Sequence, residues 1–100
     1  MLYVIEGVDS AGSLPLRQRA RPDHLARLSA LQSAGRLLIA GPFPNLDTEE
    51  PGPAGFSGSL IIAEFENLDM ARTWAEQDPY YTQGIFKSLS VRPFKKAFPR

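Results

Sequence analysis

The sequence predicts an α+β; ferredoxin-like split β-α-β-β-α-β fold, a four-stranded antiparallel sheet with two helices on one face. Three observations lead there. Short runs rich in β-branched and aromatic residues alternate with longer stretches of helical period, turn residues separate them, and 100 residues suffice for one domain, residues 1–100, with one core. A hydrophobic share of 43% against 22% charged residues belongs to a chain that folds and excludes a disordered tail.

Leu2 to Val8 alternates loosely between apolar and polar and reads as the first strand, ended by Asp9-Ser10-Ala11-Gly12-Ser13. Leu14 to Ala34 has helical period, with Pro15 and Pro22 each read as a first-turn proline and Gly35 as the C-terminal stop. Arg36 to Gly41 is a short apolar run that reads as a buried second strand, closed by Pro42 and Pro44. Pro42 to Gly58 holds four prolines, three glycines and the acids Asp47, Glu49 and Glu50, and reads as a long irregular loop, functional or mobile. Ser59 to Glu66 is the third strand. Asn67 caps a helix from Leu68 to Gln77, Asp78 caps a short turn that opens with Pro79 and stops at Gly84, and Ile85 to Phe94 is the last strand, its Pro93 implying an edge or a bulge. The helices cover one sheet face only. A second copy packed on the bare apolar face is the simplest cover, so a homodimer through the open sheet face is expected.

Eleven basic and eleven acidic residues cancel, leaving no positive surplus for a phosphate backbone, so nucleic acid is not an expected partner. The absence of cysteine removes disulfides, thiolate nucleophiles and sulfur-based zinc sites. No apolar run approaches the roughly 20 residues of a membrane span, and the start has no signal-peptide pattern. No membrane association and a cytoplasmic location are the expectations.

His24 is the one histidine and shares a helical stripe with Leu28, Leu31 and Gly35, so it faces inward. Imidazole titrates near neutral pH, and beside a cavity it is a natural proton-transfer group; it can equally be a structural histidine bonded to a carbonyl. Asp78 falls on the stripe of Ala71, Trp74 and Ala75, where a carboxylate needs a partner. The amides of the following turn are one, as an N-cap, and His24 is another, because both helices lie on the same sheet face. Gly41-Pro42 is placed to bring backbone close to a ligand, or simply opens the loop. Tyr80 and Tyr81 are positioned to hydrogen-bond a substrate oxygen or to pack. Of Arg17, Arg19, Arg21, Arg27 and Arg36, an inward one would clamp a carboxylate while most form a solvated face; Arg27 is the substrate-binding candidate. Asp47, Glu49 and Glu50 lack the spacing of a calcium loop, so no metal is expected.

Together the opening Tyr3-Val4-Ile5, His24-Leu25-Ala26-Arg27-Leu28, the run Gly35 to Pro42, Gly55-Phe56-Ser57-Gly58-Ser59, Glu64 to Leu68, Trp74 to Tyr80 and Pro93-Phe94-Lys95-Lys96 resemble the YCII-related domain family over nearly the whole chain. The resemblance implies a ferredoxin-like, dimeric α+β barrel and a histidine–aspartate centre, which falls on His24 and Asp78. It supplies no reaction; some relatives are linked to lyase or dehalogenating chemistry on hydroxylated rings. The expectation is an enzyme of lyase, dehalogenase or isomerase type without metal or organic cofactor, with His24 as general acid/base oriented by Asp78, acting on a small cyclic or aromatic hydroxylated molecule. A small-metabolite binding module and a structural or regulatory dimer are the rivals.

Overall fold

The alternating runs pair as expected of this order. In the computed structural model, which describes Met1–Arg100, β1 (Leu2–Asp9), β2 (Leu37–Pro44), β3 (Phe56–Glu64) and β4 (Phe86–Phe94) form one antiparallel sheet in the order β2-β3-β1-β4. Three helices connect them: α1 (Leu14–Ser33), α2 (Leu68–Glu76) and the short α3 (Pro79–Thr82). The ferredoxin-like arrangement therefore holds, with one short helix added after α2.

Register decides which side chains meet the helices. Tyr3 lies opposite Ala63 and Ile5 opposite both Ile61 and Val91, and all five are buried with Leu31 of α1 and Ala71 and Ala75 of α2. A smaller cluster of Ala20, Tyr80, Ile85 and Phe86 fills the other end. Burying Ile85 and Tyr80 there contributes roughly 1.5–3 kcal/mol for each large side chain. Gly7 belongs to this end because a Cβ on it would stand 2.5 Å from the Phe86 ring, so only glycine lets that ring lie on β1.

The helix ends follow the sequence. Gly35 takes a positive φ of 71° past the last turn of α1, with the Arg36 amide donating to the Leu31 carbonyl. The Asn67 side chain accepts from the Met70 amide at the start of α2.

Four expectations need correction. Pro22 is not at a helix start: α1 runs unbroken from Leu14 to Ser33 with Pro22 inside it. Its missing N–H leaves the Gln18 carbonyl without its helical donor, and both residues lie on the exposed face of α1, where solvent can take the place of that donor. The second strand is not buried but an edge strand, with Leu38 and Ile39 about half exposed. An edge also tolerates proline, which is why β2 continues through Pro42 and Pro44 instead of yielding to a loop. The segment between β2 and β3 is accordingly shorter, residues 45–55, and contains a regular turn of 3-10 helix, Gly52–Ala54. β4 is the other edge, which accommodates Pro93, and the register shift between Val8 and Asp9 lies at the opposite end of the strand, across from Ser88 and Phe86.

Candidate active site

Asp78 precedes α3 and is 3% exposed. Its Oδ1 accepts from the Tyr80 amide at 2.9 Å, the N-cap bond expected from the sequence. The same carboxylate reaches across to α1. His24 Nδ1 lies 2.9 Å from Oδ1 and 3.0 Å from Oδ2, and Arg27 Nη1 donates to Oδ2 at 2.9 Å. Both readings of Asp78 are thus realised at once. Burial pushes its carboxyl upward, but the hydrogen bond and charge of His24, the Tyr80 amide and the Arg27 guanidinium outweigh burial and hold it below the ordinary value.

An ionised carboxylate only accepts, so the proton between the two residues is assigned to His24 Nδ1. That assignment leaves Nε2 of the neutral ring with a free lone pair. The ring is held flat by Tyr80, which stacks on it at 3.9 Å between centroids and 8° between planes. Tyr80 in turn meets Phe86 edge-on at 5.6 Å. The imidazole is therefore fixed by one carboxylate at Nδ1 and one aromatic face.

His24 forms part of the wall of a cavity of about 230 Å³ between α1 and the β2–β3 edge. Gly41 and Pro42 line it from β2, Ser59 and Ile61 from β3, and Tyr80 from α3. Three of the residues expected to touch a ligand, Gly41, Pro42 and Tyr80, are therefore brought together with His24. Asp78 sits behind the imidazole and not in the wall. Tyr81 is 39% exposed and outside it. Arg27 is not in the wall either: its Nη2 donates to the Trp74 carbonyl at 2.7 Å and its guanidinium lies over the Trp74 ring at 4.1 Å. Its place three residues after His24 puts it beside Asp78, with which it pairs.

The inward arginine is Arg17. It is 6% exposed, its Nε and Nη2 donate to Asp9 at 3.0 and 3.3 Å, and Nη2 also donates to the Gly58 carbonyl and the Ser59 hydroxyl. Its guanidinium lies 4.8 Å from the centre of the Tyr80 ring. The signal was present in the sequence, since Arg17 stands two helical turns before His24 on the same stripe. Burial pushes the Tyr80 phenol above its ordinary value against the pull of Arg17 and Arg21, so it stays protonated. No group of three or more histidine and acidic residues is placed to hold a metal ion, and no helix is long and apolar enough to cross a membrane.

A model of the YCII-related domain matches residues 1–95, the stretch that contains every residue of this site. The chain belongs to the YCII-related domain family. Within it, Protein YciI of Escherichia coli O6:H1 is 55% identical over 98 residues, which cover 98% of this chain and all of that protein. An uncharacterised protein of Haemophilus influenzae is 51% identical over the same shares. Among solved structures, the 5-chloro-2-hydroxyhydroquinone dehydrochlorinase TftG of Burkholderia phenoliruptrix, in complex with 2,5-dihydroxybenzoquinone, has a TM-score of 0.83 and 30% identity over 95% of this chain and 94% of its own. The YCII-related fold thus carries at least one ring-dehalogenating protein.

The lowered Asp78 carboxyl predicts an acid-sensitive component of stability. A group with a depressed folded value stabilises the fold above its unfolded value of about 3.9 and loses that contribution as pH falls through the folded one. Asn at position 78 has no such titration. Urea midpoints measured from neutral to strongly acid pH should show wild type well above Asp78→Asn at neutral pH, with the gap closing below about pH 4. A gap that stays constant over that range contradicts the ionised, hydrogen-bonded Asp78.

Proposed function

We propose that this protein is an enzyme without metal or organic cofactor in which His24 Nε2 is the general acid/base, acting on a small hydroxylated aromatic or quinonoid ring. The observation that carries the reading is an imidazole held by Asp78 at Nδ1 in a residue that lines a cavity. At about 230 Å³ the cavity falls below the 300–1,000 Å³ usual for drug-sized ligands, a size suited to one ring. The activity and bound ligand of TftG, at 30% identity, support the same substrate class.

The chemistry such a base can drive is proton transfer followed by elimination. Nε2 takes the proton of a ring hydroxyl, the oxygen pair becomes a C=O bond, and the displaced ring pair is protonated at the carbon that bears the leaving group. From this keto form the leaving group departs with its bond pair, and the hydroxyl para to the new carbonyl loses its proton. The sum is a hydroxylated ring going to a quinone plus HX. The ring is oxidised as the C–X bond is broken, and no outside oxidant is needed. Asp78 stabilises the imidazolium formed on the way, and Arg27 keeps Asp78 ionised and in place.

A homodimer through the open sheet face belongs to this reading. Val8, Ile39, Phe43 and Phe94 point away from the helices and each is more than a third exposed, an apolar face that a second copy would cover.

Two measurements test these statements. Halide release from a series of hydroxylated rings, beginning with 5-chloro-2-hydroxyhydroquinone, should fall about 10²–10⁴-fold in His24→Asn, assayed at a temperature where circular dichroism shows the variant folded. Undiminished turnover in that variant contradicts the assignment, and saturable binding without turnover of any ring favours a binding module. Light scattering should give twice the chain mass at micromolar concentration; the mass of a single chain removes the dimer.

A further inference from the structure

Two arginines of α1 share the cavity wall with His24, and the chemistry proposed above gives neither of them a task. Arg17 is the more unusual. Asp9, Gly58 and Ser59 engage its Nε and Nη2, and Nη1 has none of these partners. The residue nonetheless lines the cavity, and no fully buried side-chain nitrogen or oxygen lacks a hydrogen-bond partner, so Nη1 is not completely buried. Arg17 and His24 both lie against the Tyr80 ring, and both line the cavity.

The charges point to what these groups recognise. Each buried carboxylate has its own arginine, Asp9 with Arg17 at 3.0 Å and Asp78 with Arg27 at 2.9 Å. The pairs cancel, so the cavity carries the charge of Arg21 and of any proton on His24, with no carboxylate in its wall. Beyond Arg17, Arg21, Pro42 and Tyr80 the space continues into an outer chamber of about 350 Å³, where Glu49 is the one acid. An anion in the inner cavity meets the unpaired charge of Arg21 and the guanidinium of Arg17, while the nearest carboxylates, Asp9 and Asp78, stand outside the wall and are each paired with an arginine. Because Asp9, Gly58 and Ser59 already hold the Arg17 guanidinium, little side-chain freedom is lost when it binds. Exposed Arg21 lacks that support.

We propose that the site selects a ring carrying an ionised oxygen, the anion of a hydroxylated quinone or an acidic phenol, and that Arg17, through Nη1, with Arg21 beside it, is the group that selects it. This rests on the reading of the cavity as a site for hydroxylated rings. It adds that charge, more than ring shape, decides which of them bind. Arg17 then receives the charged oxygen of the ring while His24 serves a different one.

Calorimetric binding tests it without any need for turnover. The probes are 2,5-dihydroxybenzoquinone, anionic at neutral pH, and hydroquinone, neutral there. Wild type should bind the anionic ring at least about tenfold more tightly, as expected of a hydrogen bond to a charged partner. Arg17→Met would strand Asp9, so it is made together with Asp9→Asn, which removes both charges; Arg17→Lys is the second variant, keeping the charge without the fork. In the double variant the preference should disappear, with hydroquinone affinity unchanged; Arg17→Lys should keep part of it. Equal weakening of both probes, no change in either, or failure of wild type to bind the anionic ring overturns the proposal. The two readings fail separately: selective binding that depends on Arg17 without turnover of any ring leaves this inference standing and removes the enzyme, whereas turnover with an indifferent Arg17 does the reverse.

Discussion

A single buried carboxylate organises this protein. Asp78 is nearly inaccessible, and an unpaired charge there would be costly enough to prevent folding. It accepts from the Tyr80 amide in its own turn and from His24 and Arg27 on a helix more than fifty residues earlier. Those bonds join the two halves of the chain, and removing one partner from such a buried pair typically costs about 3–5 kcal/mol. The same bonds set the face that the imidazole presents and place Tyr80 against it. Stability and the presentation of Nε2 therefore share one cause.

The second polar pair repeats the arrangement on the same helix. Arg17 and His24 occupy half of the buried positions of α1, alongside Ala20 and Leu31, so this helix lies on the sheet with polar groups where a purely structural helix would carry leucines. Each of them is satisfied by a partner from elsewhere in the chain, Asp9 and Ser59 for one and Asp78 for the other. Local departures from the apolar pattern of this kind concentrate where a protein binds or reacts.

What could be read from the sequence followed the range of its physical causes. Element order along the chain and helix caps arise from period and from residues close in sequence, and Gly35, Asn67 and Asp78 all act where their types predicted. His24 and Asp78 were found because each stands on a helical stripe that must face the sheet. Features that depend on position in the finished sheet were hidden. Pro42 and Pro44 lie in a strand because β2 is an edge, and nothing local announces an edge. Pro22 passes through α1 because the carbonyl it frees lies on the exposed face of the helix. The arginines were exchanged for a related reason. A charged residue on a buried stripe is ordinarily read as solvated, and the partners that make Arg17 acceptable, Asp9 and Ser59, come from two different strands.

The claim on which the rest turns is that Asp78 holds the neutral imidazole as the Nδ1–H form with Nε2 free. One histidine gives one ring to assign, and a long-range proton–nitrogen correlation spectrum of the neutral ring reads directly which nitrogen carries hydrogen. The account predicts a protonated Nδ1 and an unprotonated Nε2 in wild type, with that preference lost in Asp78→Asn. A spectrum showing Nε2–H in wild type, or the same tautomer in both proteins, would contradict it.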